Sequence, residues 1–189
     1  MKMNKKQMME QAKEVLKIEA ESILNLIPSI SEDFVRAVDM IFKIKGRVIV
    51  TGIGKSGLIG KKIVATLTST GTPAVFLHPV EGLHGDLGIV TREDVLLAIS
   101  HSGETPELTA LTSSVREIGA PIIALTGNPR SSLAKHSDRI IHVAVDREAC
   151  PFGLAPTSST TAALAMGDAI AIALIRRKNF TERDFFRFH

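Results

Sequence analysis

The chain has no tryptophan and no tyrosine, so the aromatic platforms on which single-stranded nucleic acids stack are not expected. Its single cysteine, Cys150, excludes an intramolecular disulfide and fits a reducing, cytoplasmic setting. Charge of one sign is also scarce. The net charge is +3 over 189 residues, and the basic residues gather at the N-terminus and in Arg176-Arg177-Lys178. No basic stripe calls for a nucleic-acid partner. The longest apolar stretch, Ala162 to Ile175, is too short to span a bilayer and carries Asp168 inside it. The N-terminus is charged and lacks an apolar leader core, so neither a signal peptide nor membrane insertion is expected.

What is present is apolar residue in quantity, at 44% of the chain. A chain of this length forms one domain and can bury roughly 70% of its unfolded surface. The organising stretch is Asp94-Val95-Leu96-Leu97-Ala98-Ile99 running into Ser100-His101-Ser102-Gly103-Glu104-Thr105. A continuous apolar run stopped by hydroxyls and a glycine, then followed by Pro106-Glu107-Leu108, reads as a buried parallel strand feeding a helix N-terminus. Such a junction favours an anion, because free backbone N–H groups, hydroxyl donors and the helix dipole converge there. The loop holds no Lys or Arg, which points to a small phosphorylated metabolite held by neutral donors. Ser100 or Ser102 could equally serve as a plain helix cap.

In chain order, Asn4 to Ile27 is an amphipathic helix ended by Pro28, and Ser31-Glu32-Asp33 starts a second helix that runs through Ile44. Arg47 to Thr51 is the first strand. Directly after it, Gly52-Ile53-Gly54-Lys55-Ser56-Gly57 matches G-x-G-x-x-G, but the ribose-binding acid that should end the next strand is missing, since Pro73 to Leu77 runs into His78 and Pro79. A P-loop fails as well, because Ile49 stands where its first glycine belongs. What remains is a glycine turn that presents Lys55 and Ser56 at a helix start. His78 to Gly88 reads as a loop that carries His78, Glu81, His84 and Asp86. The remaining pattern is helix Pro106 to Ile118, strand Pro121 to Leu125, a short helix near Ser131 to His136, and strand Ile140 to Val145. A loop with Glu148, Cys150 and Pro151 then leads to Pro156-Thr157-Ser158-Ser159-Thr160-Thr161. This second hydroxyl cluster opens the helix Ala162 to Arg177, and Phe180 to Phe188 is a last short helix capped by Thr181.

Strand and helix in alternation after two helices predict an α/β three-layer sandwich around a doubly wound parallel sheet of about five strands. The expected layout is N-terminal helices over 1–45, an α/β core over 46–178 and a C-terminal helix over 179–189. Right-handed crossovers put the strand C-termini on one edge, where Lys55, Ser56, Ser100, Ser102, Thr105 and the Thr157 cluster converge.

Four segments carry a family resemblance: the Gly52 to Gly57 turn, His84-Gly85-Asp86-Leu87-Gly88, Ser-x-Ser-Gly-Glu-Thr, and Glu148-Ala149-Cys150-Pro151 with Leu154 to Thr161. Together they resemble the sugar isomerase (SIS) domain of D-arabinose 5-phosphate isomerases over nearly the whole chain. The resemblance implies interconversion of D-ribulose 5-phosphate and D-arabinose 5-phosphate, feeding Kdo and lipopolysaccharide synthesis in a cytoplasmic homotetramer. Many members carry a C-terminal pair of CBS modules. The chain stops at His189, where the family typically continues His-Pro-Gly-Gly, so a short form or an isolated catalytic domain is expected.

Aldose-ketose isomerisation passes a proton between adjacent carbons through an enediol. It needs a base, a group for the developing oxyanion and an acid-base group for ring opening, with neither metal nor redox cofactor. By resemblance, Lys55, His84, Glu107, Glu148 and His189 form the catalytic set. Glu148 is expected to shuttle the proton with Glu107 as competing base, Lys55 to meet the oxyanion, and His189 or His84 to open the ring, one of them from a neighbouring subunit. Gly54, Ser56, Ser100, Ser102, Thr105, Thr157, Ser158 and Ser159 are the expected substrate contacts. Two alternatives stay open: a non-catalytic phosphosugar sensor, and an isomerase of another phosphosugar such as a hexulose 6-phosphate.

Overall fold

Short runs of Val, Ile and Leu with no polar alternation suit strands covered on both faces. In a computed structural model describing residues 3–187 they pair into one all-parallel sheet. Its strands are β1 (Val48–Thr51), β2 (Ala74–Phe76), β3 (Val95–Ile99), β4 (Ile122–Thr126) and β5 (Arg139–His142), in the order β2-β1-β3-β4-β5. Every residue of β1, β3 and β4 is buried. The register sets Ile49 beside Leu96, Ala98 beside Ala124 and Leu125 beside Ile141.

Alternate side chains feed two cores. Val48, Val50, Leu97, Ile99, Ile123 and Leu125 pack with α2 (Glu32–Lys43), α3 (Gly54–Ser69) and α7 (Ser158–Lys178). Ile49, Leu96, Ala98, Ile122 and Ala124 pack with α5 (Pro106–Ile118), reinforced by Leu133 of α6 (Ser132–Lys135). The result is the expected three-layer, doubly wound sandwich. Fully buried residues such as Ile63, Leu67 and Leu111 each contribute about 1.5–3 kcal/mol through removal of apolar surface from water. The first helix, α1 (Lys5–Leu24), starts in a capping box between Asn4 and Gln7 and lies against α7.

The structure departs from the sequence expectations in one loop and at several element ends; α1 stops at Leu24 rather than Ile27, because the chain tightens into a 3-10 turn over Ile27–Ser29 that carries Pro28. The expected loop His78 to Gly88 contains a short helix, α4 (Pro79–Leu83), and a 3-10 turn, Asp86–Ile89. One and a half turns are too few to show a helical period; Pro79 presets the first turn, and docking on α5 holds the segment in place. Helix α7 begins at Ser158 rather than Ala162, because the hydroxyl cluster forms its first turn. Strand β5 ends at His142 rather than Val145, although the Val143 N–H still donates to the Thr126 carbonyl at 2.8 Å. The last helix, α8 (Glu182–Phe185), is shorter than expected and capped as expected by Thr181, while Phe188 lies outside the described residues.

By length and composition the 21-residue α7 could cross a membrane, so the length of the apolar stretch does not by itself exclude a span. Its surroundings explain its composition: it packs on α1, α2 and α3, buries Ala162, Met166, Ile170 and Leu174, and pairs Asp168 with Lys62 at 2.5 Å.

Candidate active site

The loop after β3 is built by its own hydroxyls. The Ser100 Oγ accepts the Gly103 N–H at 3.0 Å and lies 3.2 Å from the Thr105 Oγ1, while the Ser102 Oγ accepts the Glu104 N–H at 3.3 Å. Gly103 turns the chain at φ 69°, and a Cβ there would run into Ser131. Only glycine fits both constraints. The chain then enters α5 through Pro106, and the Thr105 side chain makes no capping bond to that helix. Helix α3 likewise starts without a side-chain cap. Two helix N-termini therefore keep free N–H groups and a positive dipole end at the C-terminal edge of the sheet. They flank β1 and β3, between which the strand order reverses and a crevice opens.

A cavity of about 270 Å³ occupies that crevice. Ser56 of α3 and Ser100, His101, Ser102 and Thr105 from the β3–α5 loop line one side, and Glu148, Pro156, Ser159 and Thr160 the other. Its floor is formed by strand ends, including Ile99, Leu125 and Val143. No Lys or Arg lines it.

Glu148 sits at the N-terminus of α7 and is half-buried. Its Oε2 accepts the Thr157 N–H at 2.7 Å, the Thr157 hydroxyl at 3.0 Å and the Ser159 N–H at 3.3 Å. Burial is the largest single influence and pushes the carboxyl up, but hydrogen bonds from the Ser159 hydroxyl and from Thr157 and Ser159 together outweigh it. The net direction is below the usual glutamate range, so the group is a carboxylate at neutral pH. The third hydroxyl-rich helix start is thus capped by the protein's own carboxylate.

The expected site residues separate into groups. Ser56, Ser100, Ser102, Thr105, Glu148 and Ser159 line one cavity. Thr157 holds Glu148, and Ser158 is fully buried with its hydroxyl unpartnered among the described residues. Gly54 opens α3 at φ 59° and exposed Lys55 follows it; both lie outside the cavity lining, which Ser56 joins. His84 ends α4 and Glu107 lies in the first turn of α5, both exposed and outside the cavity lining. His189 lies outside the described residues.

Sequence reasoning missed His101, Thr126 and Thr160 as lining residues. His101 is the variable position of Ser-x-Ser, and its backbone ties this loop to the end of β4, since its carbonyl accepts the Gly127 N–H at 3.0 Å. Glu104 of the same motif serves α6, accepting the Ser132 N–H at 3.0 Å. Hydrogen bonds from Ser132 lower its carboxyl. Among the described residues no three of His, Cys, Asp and Glu gather as a metal-ligand set.

Comparison with known proteins agrees with this architecture. A family model described as the SIS domain matches residues 40–173. The chain is 52% identical over 177 residues to an arabinose 5-phosphate isomerase, KdsD, from Shigella flexneri, with 94% of this chain and 54% of that protein covered. It is 48% identical over 174 residues to KdsD from Pseudomonas aeruginosa, covering 92% and 53%. The chain thus spans about half the length of the curated relatives it matches. Among solved structures, an E. coli CFT073 protein in complex with arabinose 5-phosphate is 39% identical with a TM-score of 0.95, covering 99% of this chain and 100% of that one. A Listeria monocytogenes protein is 34% identical with the same TM-score, covering 100% and 99%.

Proposed function

The chain belongs to the SIS-domain family, and from that membership we propose that it interconverts D-ribulose 5-phosphate and D-arabinose 5-phosphate through an enediol. The observation that carries this reading is Glu148: a carboxylate held ionised on the wall of a cavity whose other wall is the hydroxyl loop after β3. The related E. coli protein with arabinose 5-phosphate bound, and the KdsD relatives, support the same substrate class here.

In this reading the phosphate rests on Ser56, Ser100, Ser102 and Thr105, with the free N–H groups of α3 and α5 behind them. Gly54 shapes the turn that lets α3 approach. Glu148 takes the proton from C2 of the aldose, and the electron pair of that C–H bond forms the C1–C2 double bond while the C1 carbonyl becomes an oxyanion. Return of the proton to C1 and transfer of the C2 hydroxyl proton to the oxygen of C1 give the ketose. Lys55 meets the oxyanion. Support for Glu148 over Glu107 as base comes from the cavity wall, which holds the first and not the second. Thr157 supports the base from behind, and Ser159, which also donates to it, touches substrate beside it. Ring opening falls to His84 or His189, delivered from a neighbouring subunit of a homotetramer. Exposed Met8, Met9, Leu16 and Leu24 on α1 suit such subunit contacts. The setting is the cytoplasm, with the product entering Kdo and lipopolysaccharide synthesis, and with neither nucleic acid nor membrane as partner.

The test is proton NMR of D-arabinose 5-phosphate in D₂O with catalytic protein. Loss of the C2 proton signal, together with appearance of the ketose, is the expected result. Binding of the sugar phosphate without any exchange would overturn catalysis and leave a sensor.

A further inference from the structure

The opposite edge of the sheet holds a second and larger cleft, of about 660 Å³. It is framed by the end of α2 and by the starts of β3, β4 and β5, so roughly 15 Å of strand separates it from the cavity at the strand C-termini. Five cations line it against three acids. Two of the acids have partners inside the protein: Asp39 pairs with Arg177 at 3.0 Å, and buried Asp94 accepts the Arg47 N–H at 2.6 Å and the Thr91 N–H at 2.8 Å. Arg36 is likewise paired, with Glu32 at 2.8 Å. Lys43, Lys45, Arg92 and Arg139 make no ion pair among the described residues and face one free carboxylate, Glu93.

A positive excess gathered in one concavity is unlike cations scattered on a solvated surface, because like charges in a cleft repel and a bound anion relieves them. The dipole at the end of α2 accounts for Lys43 and for none of the other three. Arg139 adds an independent sign. Its Nη1 donates to the Asp138 carbonyl at 2.6 Å, but its Nε is buried with no partner among the described residues. A buried guanidinium donor without an acceptor is costly, and a ligand oxygen supplies one. The floor is held in place: Gly46 N–H donates to the Glu93 carbonyl at 2.9 Å, and the Asp94 bonds pin the same turn to β3. Little ordering is needed for a guest to bind.

We propose that this cleft binds a small polyanion carrying two or more phosphate or carboxylate groups, at a site separate from the isomerase cavity. Calorimetry with inorganic pyrophosphate and with citrate, each at about 150 mM salt, tests it on the whole chain. Saturable binding of one equivalent is expected, weakened at least about tenfold by Lys45→Ala/Arg92→Ala and by Arg139→Lys, but retained in Ser102→Ala, where the other cavity is altered. Binding of pyrophosphate alone identifies a phosphate ligand, and binding of citrate as well admits carboxylates. Three outcomes overturn the proposal: no binding of either anion, binding insensitive to the cleft variants, or binding that Ser102→Ala abolishes.

Discussion

Glu148 and Thr157 hold one another: the Thr157 amide and hydroxyl both donate to the Glu148 Oε2, and the Thr157 Oγ1 in turn accepts the Ala149 N–H at 2.8 Å. One carboxylate oxygen is thereby fixed at the start of α7, while Oε1 accepts none of these bonds. A base held in a fixed orientation on the cavity wall is what proton transfer between adjacent carbons requires.

Replacing that carboxylate with its amide keeps the shape and removes the base. Glu148→Gln is expected to lower kcat roughly a hundred- to ten-thousand-fold while KM changes only a few-fold. Steady-state turnover of D-ribulose 5-phosphate checks this, and near wild-type kcat would remove Glu148 from the role.

The pH dependence follows from the same hydrogen bonds. The folded Glu148 carboxyl lies below its ordinary value, so the ionised base persists as pH falls and the acid limb of kcat lies below the ordinary glutamate range. The stability it contributes is fully present above the unfolded value and is lost as pH falls through the lowered folded one. An acid limb near neutrality would point to a different base.

Ser102 and Ser100 should separate in their effects. Ser102 is exposed, so Ser102→Ala is expected to raise KM roughly ten- to a hundred-fold through loss of a hydrogen bond to phosphate, with little change in melting temperature. Buried Ser100 also holds the Gly103 N–H, so Ser100→Ala lowers both affinity and stability. If KM is unmoved in Ser102→Ala, that hydroxyl only caps the turn.

Gly103→Ala is expected to cost about 2–4 kcal/mol, from a left-handed backbone conformation and from overlap with Ser131. Gly119→Ala, also at positive φ but with open space around its Cβ, bears the first cost alone, about 1 kcal/mol. Urea unfolding of the two variants measures the difference; equal losses would show that the Ser131 contact yields freely.

Cys150 should react early. Backbone N–H groups of Ala155, then Phe152 and Leu154, stabilise its thiolate and lower it from the usual thiol range. The rate of alkylation by iodoacetamide is expected to rise with a midpoint below that of an ordinary exposed cysteine thiol, such as the one in a short unstructured peptide measured alongside. A midpoint at or above that of the peptide contradicts it.

Local sequence determined a good deal. Unbroken apolar runs such as Val95 to Ile99, alternating with helix-length amphipathic segments, pointed to doubly covered parallel strands and so to the layer architecture. The hydroxyl loop from Ser100 to Thr105 was legible because caps and turns are short-range chemistry, readable within six residues. Tertiary structure decided what those groups face. Glu148 became part of the cavity wall because the start of α7 folds back and holds it through Thr157 and Ser159, whereas Glu107, equally acidic in sequence, is exposed on α5. The helix α4 formed where no period announced it, because docking on α5 supplies what five residues cannot supply alone. The basic cleft escaped the sequence altogether: Lys45, Arg92 and Arg139 are far apart along the chain, and only the parallel sheet, which gathers strand starts at one edge, sets their charges against one another.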